Sequence, residues 1–301
     1  MKILDFYKFI YERQRVWYNK EHLKKPRPWT KDHRLHTFKF CNVYRELDKG
    51  TVHLIDNVIN KKIPLEDKIF NVLIYRRFNT PYFFDQYGII SWNPFPVKSL
   101  EKIMRRDKSK GIKLFNDAYM ITCPSFHGKL IREKHKLQLA IFKEVVPLIP
   151  SITKAIKKSK NLQSVHTLLR NSVFGTGDFI GYQYVTDITY FPEFKNKWDL
   201  NSFVALGPGS KPGVRLLFPK AKEKELLKWC YFLHEMQATF FRELKEKTGK
   251  NWLKIRYKTP YYDSKYLSLS NIQNCLCEFR KYIMLDLDPD KRKRYYKKGA
   301  K

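Results

Sequence analysis

The 301-residue chain carries 60 Lys and Arg against 29 Asp and Glu, a formal net charge of +31, and 43% of it is hydrophobic. With 22 Phe, 19 Tyr and 6 Trp it has too much apolar bulk for a disordered basic tail, and ample length to bury a core. No run approaches roughly eighteen uncharged apolar residues, and the first twenty residues lack a signal-peptide pattern. A membrane span is therefore excluded, secretion is not expected, and a cytoplasmic protein is expected.

Most of the chain reads as helix. Leu65–Phe78 places Ile69, Leu73 and Ile74 on one face. Tyr87–Trp92 alternates as a strand would. Residues 130–146 repeat the helical spacing through Leu130, Leu137 and Ile141, and stop at Pro147. Asn161–Arg170 predicts a helix, Ser172–Gly177 a glycine turn, and Asp178–Tyr190 a second helix. Val214–Phe218 is the other strand candidate. Residues 221–247 bury one stripe through Leu226, Cys230, Leu233, Phe240 and Leu244, and Ile272, Leu276, Phe279 and Ile283 form a last one. The fold class is mostly α. From Asp288 onward the sequence reads as a solvated basic tail.

Charge is spread unevenly. Residues 129–170 carry a net +8 and 288–301 a net +5, whereas 36–90 reach only +2 and 171–210 come to −2. The total points to a polyanionic partner, and the two restrained stretches to places where carboxylates matter. The five cysteines, Cys41, Cys123, Cys230, Cys275 and Cys277, are an odd number in a chain expected to stay in the cell, which argues against a disulfide framework. Cys275 and Cys277 point apart on a helix. With no CxxC or HExxH, no metal is expected, and no cofactor.

The most specific local signal lies at 161–199. Gly175 and Gly177 permit positive φ in the turn, and the amide groups that open the next helix are free to bind a phosphate. Gly181 sits one turn in, where crossing helices need a small residue, and Asp199 follows Trp198. Phe174, Gly175, Gly177, Gly181 and Asp199 together resemble the helix-hairpin-helix DNA glycosylase superfamily. That resemblance implies two helical lobes around a base-binding cleft. It also implies backbone binding of DNA by Gly175, Thr176 and Gly177, with Asp199 stabilising a cationic sugar as the base leaves. Phe179 stands where the lyase-competent branch has a lysine, so a monofunctional enzyme is implied. Asp178 departs from the pattern by placing a negative charge where a phosphate would sit.

Other segments widen the resemblance. Phe40–Asp48 preceded by Pro28–Asp32, Gly207-Pro208-Gly209 with Gly213, and Asn274–Tyr282 are similar to motifs of a family linked to phage DNA base hypermodification. It is the family of thymine pyrophosphorylases and of the helical domain accompanying hydroxymethyluracil-DNA kinases. The likeness spans about residues 28–283. Asn42, Arg45 and Asp48 recur every three residues, as one polar stripe on a helix would, and Asn274, Glu278 and Lys281, four and three apart, form another. Read alone, the two stripes are salt-bridged surface faces; the resemblance implies instead that Asn42, Arg45, Asp48, Glu278 and Lys281 form the base pocket. Arg76, Arg77 and Asn79 join it or simply charge a helix end.

The expected organisation is one glycosylase-like domain over 1–287, with lobes at about 36–150 and at 1–35 plus 151–287, and a tail at 288–301. The expected function is a monofunctional glycosylase. It would flip and excise a hypermodified pyrimidine, plausibly glycosylated hydroxymethylcytosine, from double-stranded phage DNA in antiviral defence. The alternative is a transferase acting on thymine-derived bases in DNA. No GxxxxGK[ST] phosphate loop is present, which disfavours a kinase in this chain. A third reading is a DNA-binding module that uses its basic surface alone.

Overall fold

A computed structural model describes residues 2–80, 82–116, 125–262 and 264–287. The basic tail expected at 288–301, and Cys123, lie outside the described residues. The chain divides into two units, Met1–Asp48 with Phe203 onward, and Lys49–Ser202. The expected lobe boundaries, near 35/36 and 150/151, fall elsewhere. Each unit is helical.

The first unit opens with α1 (Ile3–Trp17) and the short α2 (His33–Thr37). The second unit carries α3 (Lys49–Leu54), α4 (Leu65–Phe78), α5 (Phe83–Tyr87) and α6 (Val97–Ser109). A two-stranded hairpin, β1 (Ser125–Phe126) with β2 (Lys129–Leu130), follows. Then come α7 (Lys134–Val145), α8 (Ile149–Lys158), α9 (Leu162–Ser172) and α10 (Asp178–Ile188). The chain returns to the first unit for α11 (Ser210–Leu217), α12 (Leu226–Glu235), α13 (Gln237–Thr248) and α14 (Leu269–Leu287).

The core of the first unit is α1 against α13 and α14. Phe6 meets Phe279 edge-on at 5.3 Å and Tyr7 meets Phe241 at 5.0 Å, geometries that suit the ring quadrupole. α11 lies very close to α14: a Cβ on Gly213 would sit 2.2 Å from the Leu276 carbonyl oxygen, and one on Gly209 2.2 Å from Cys277 Sγ. Gly209 and Gly213 of the sequence motif thus allow two helix backbones to approach. This close packing also overrides the strand expected at Val214–Phe218, because Val214 and Leu217 are the inward residues of a helix.

The single stripe expected over 221–247 is two helices that break at Met236. The buried stripe keeps its three-four spacing across the break through Leu233, Gln237, Phe241 and Leu244, so Phe241 is buried and Phe240 only half-buried. Gln237 fastens it from below, donating to the Leu267 carbonyl at 3.0 Å and accepting the Leu267 amide at 2.9 Å.

In the second unit α4 is the central element. Pro64 precedes it, Glu66 and Asp67 fill its first turn, and Asn79 ends it in the left-handed conformation at φ 51°. It is buried on every side, Lys68, Asn71, Arg76 and Arg77 included. The strand expected at Tyr87–Trp92 is the end of α5 followed by a loop. Its Ile90 amide and carbonyl both bond the Asn71 side chain, at 2.9 and 2.8 Å.

Candidate functional site

Phe40–Asp48 forms no helix, contrary to the three-residue polar spacing; only Arg45–Leu47 make a single 3-10 turn. Phe40, Val43 and Tyr44 are buried, so the backbone around them is withdrawn from water without a helix to satisfy it. Side chains of α1 and α14 supply the missing partners. Arg13 donates to the Phe40 carbonyl at 2.9 Å and the Cys41 carbonyl at 3.0 Å. Glu278 accepts the Cys41 amide at 2.7 Å, and Asn271 accepts the Arg45 amide at 3.1 Å. Asn274 donates to the Asn42 carbonyl at 3.0 Å and Lys281 to the Lys39 carbonyl at 2.5 Å. The Asn42 side chain is engaged at both ends, by Arg13 at 2.9 Å and the Leu47 carbonyl at 2.6 Å.

The structure therefore brings Asn42, Arg45, Asp48, Glu278 and Lys281 together, through loop geometry rather than a helical stripe. Much of their hydrogen bonding is spent on the chain itself. Asp48 is the chemically distinctive member. Its Oδ1 accepts the Asn42 amide at 2.6 Å. Burial pushes its carboxyl up to about 6, against the opposing pull of that amide and of Arg45, with the Glu278 charge adding to the rise. A carboxyl held near 6 changes protonation close to neutral pH.

The second unit holds the glycine turn. Gly175 takes φ 66°, whereas Gly177 sits at φ −84° as the N-cap of α10, so only the first glycine needs positive φ. Gly181 fulfils its expected role, since a Cβ there would lie 3.0 Å from His166 Nε2 on α9. The turn is held from beneath by Arg77. Its guanidinium donates to the Phe174 carbonyl, to the Gly175 carbonyl at 3.2 Å and to Thr176 Oγ1 at 3.2 Å. Thr176 is buried, with its hydroxyl turned toward Arg77. Asp178 pairs with Arg170 at 2.5 Å, which offsets the negative charge noted at the start of α10.

Arg76 and Asn79 lie in this unit as well. Arg76 makes a two-pronged pair with Asp187 at 2.5 and 2.6 Å, and also bonds Asn79 and Thr51. Both charges are at least 96% buried, with side-chain exposures of 4% and 1%. Asp199 lies on an exposed loop, where its Oδ1 accepts the Asn201 amide at 2.9 Å and its carbonyl accepts the Ser202 hydroxyl at 2.6 Å.

Sequence reasoning missed Arg13, Asn271 and Asp187. A signal existed for Arg13, which follows Phe6, Phe9 and Ile10 at helical spacing on the buried face of α1. A charge in an apolar stripe is expected to have a built partner.

Residues 2–289 match the model of the 5-hmdU DNA kinase, helical domain family, and the chain belongs to that family. The chain is 26% identical over 287 residues to a 5-hmdU DNA kinase of Bacillus phage SP10. The match covers 91% of this chain and 44% of that relative, so the chain spans under half the relative's length. No solved structure matches. These matches confirm the resemblance to the hypermodification family and correct the expected activity. Family and relative are both named for a kinase, which is a transferase, so the glycosylase and hydrolase reading is withdrawn, and with it the sugar-stabilising role of Asp199. Among the described residues no helix is long and apolar enough to cross a membrane.

Proposed function

We propose that this chain is the acceptor side of a transferase that acts on 5-hydroxymethyl pyrimidines in DNA: it grips the DNA and presents the base for phosphoryl transfer. The match to the helical domain of 5-hmdU DNA kinases over residues 2–289 carries this reading. A net charge of +31 supports the DNA grip, since phosphate attraction supplies most non-specific affinity. The base must leave the stack before its hydroxymethyl group can be reached. Phosphoryl transfer asks mainly for positioning, together with a group that accepts the proton of the attacking hydroxyl. Asp48 suits that task, because a base works best with its proton affinity near working pH. Asn42, Arg45, Glu278 and Lys281 shape its surroundings. The donor triphosphate site belongs to a separate module, in keeping with the lack of a GxxxxGK[ST] loop in these 301 residues.

Two measurements on the chain test the proposal. Duplexes that differ only in thymidine against 5-hydroxymethyldeoxyuridine are titrated, and tighter binding to the hydroxymethyl duplex is expected; equal affinities overturn acceptor recognition. The chain is then mixed with γ-labelled ATP and the same duplex. No label transfer is expected, and transfer by the chain alone overturns the division of labour.

A further inference from the structure

A surface feature of the Lys49–Ser202 unit has no part in the reading above. β1 and β2 are joined by His127 and Gly128 with φ of 48° and 75°. Two successive positive φ values make the tight turn that matches strand twist. The register pairs Phe126 with Lys129 and Ser125 with Leu130. Such a short hairpin has no stability of its own, so its side chains must be held by something else. Phe126 packs edge-on against Phe174 at 5.1 Å, His127 lies 5.2 Å from the same ring, and His127 Nε2 meets Glu144 at 2.9 Å.

These rings are not core. Phe174 is 37% exposed, His127 is exposed, and Leu130 beside them is 61% exposed. Lys129, Arg132, Lys134 and Arg170 are exposed as well. Phe174 is also held firmly. Its carbonyl bonds the buried Arg77, and Gly175 turns left-handed directly after it. An exposed aromatic ring on an anchored turn loses little entropy when something stacks on it.

We propose that Phe174, with Phe126 and His127, is an aromatic platform on which unpaired bases of the DNA stack, with the surrounding lysines and arginines on the flanking phosphates. The proposal rests on the DNA reading above and adds how an opened strand is held. Rings interleaved with cations match the alternation of bases and phosphates along a strand. The segment 129–170, with its net +8, supplies the charge complementarity.

The test compares wild type with Phe174→Ala, Phe174→Trp, Phe126→Ala and the Lys129→Ala/Arg132→Ala pair. Affinity is measured at several salt concentrations for a fully paired duplex and for the same duplex with three unpaired bases. Base–ring stacking is worth about 1–3 kcal/mol per base, so Phe174→Ala should weaken binding to the opened duplex roughly 5- to 150-fold. Its salt slope should be unchanged, and Phe174→Trp should bind as wild type does. The lysine–arginine variant should lower the salt slope instead. Fluorescence of 2-aminopurine at the unpaired site should be quenched by wild type and not by Phe174→Ala. Melting curves show whether each variant folds, and Phe126→Ala provides a second probe of the platform. Equal affinity of wild type and Phe174→Ala for the opened duplex, or equal loss on both duplexes, overturns the platform while leaving the DNA reading intact. If wild type binds neither DNA, both fall.

Discussion

The two units use buried charge in opposite ways. In the Met1–Asp48 unit, Arg13, Asn271, Asn274, Glu278 and Lys281 reach from α1 and α14 to main-chain groups of one irregular segment. In the Lys49–Ser202 unit, two neighbouring guanidiniums on α4 divide the work. Arg76 meets a carboxylate, Asp187, and Arg77 meets the carbonyls of the glycine turn. The first arrangement spreads its cost over many modest hydrogen bonds. The second concentrates it in a pair that must be complete, because a charge buried without its partner is far more costly than a missing neutral bond.

The comparison breaks most sharply at Asp187. Asp187→Ala removes the carboxylate that faces the buried Arg76, and a loss of about 3–5 kcal/mol is expected in urea unfolding. Arg76→Met with Asp187→Leu should recover much of it, since two apolar groups leave no orphaned charge. A single variant within about 1 kcal/mol of wild type would show that Arg76 finds another partner.

In the first unit the vulnerable point is steric, because the irregular segment hangs from α14 and α14 is placed by α11. Gly213→Ala puts a methyl 2.2 Å from the Leu276 carbonyl oxygen, which is backbone and cannot rotate away. A loss of about 1–3 kcal/mol is expected. Gly177→Ala is the internal control: among the described residues nothing lies within 4 Å of that Cβ, and its φ is −84°. A near-neutral Gly213→Ala would mean that the two helices separate freely.

Asp48 sharpens the contrast through pH. Its folded carboxyl titrates near 6, above its ordinary 3.8. Between those values the native state holds a proton that the unfolded chain has lost, so the group's contribution to stability falls as pH rises through that window. The shift corresponds to about 3 kcal/mol. Asp48→Asn keeps an acceptor for the Asn42 amide and removes the titration. The variant should gain on wild type from pH 4 to 6 and keep a constant advantage above. Parallel curves for the two proteins would mean an unshifted Asp48.

Where local signals agree, the sequence was legible. α4 runs from Leu65 to Phe78 as its spacing, Pro64 and Asn79 imply, and α9, turn and α10 follow the glycines. Asn42, Arg45, Asp48, Glu278 and Lys281 were legible as a group. The role of these side chains was not, because a three-residue spacing fits a helical stripe and an irregular segment equally well. What decides between them is hydrogen bonding from α14, more than 220 residues away in sequence. Likewise nothing near residue 76 reveals that Asp187 closes the pair, and the break at Met236 lies inside an uninterrupted helical pattern.

The smallest expected effect is at Asp199, which sequence resemblance had placed at the reaction centre. The carboxylate is exposed, and its Oδ1 accepts the Asn201 amide. Asparagine offers the same oxygen at the same reach and closes this kind of local turn as well as aspartate does. Asp199→Asn should therefore unfold within about 0.5 kcal/mol of wild type. Its affinity for hydroxymethyl DNA should hold or rise slightly, since one negative charge is removed from a protein that attracts phosphate. Urea unfolding and DNA titration at one fixed salt concentration measure both. A fivefold loss of DNA affinity at unchanged stability would show that the carboxylate itself meets the substrate, and would return Asp199 to the site on grounds independent of the withdrawn glycosylase reaction.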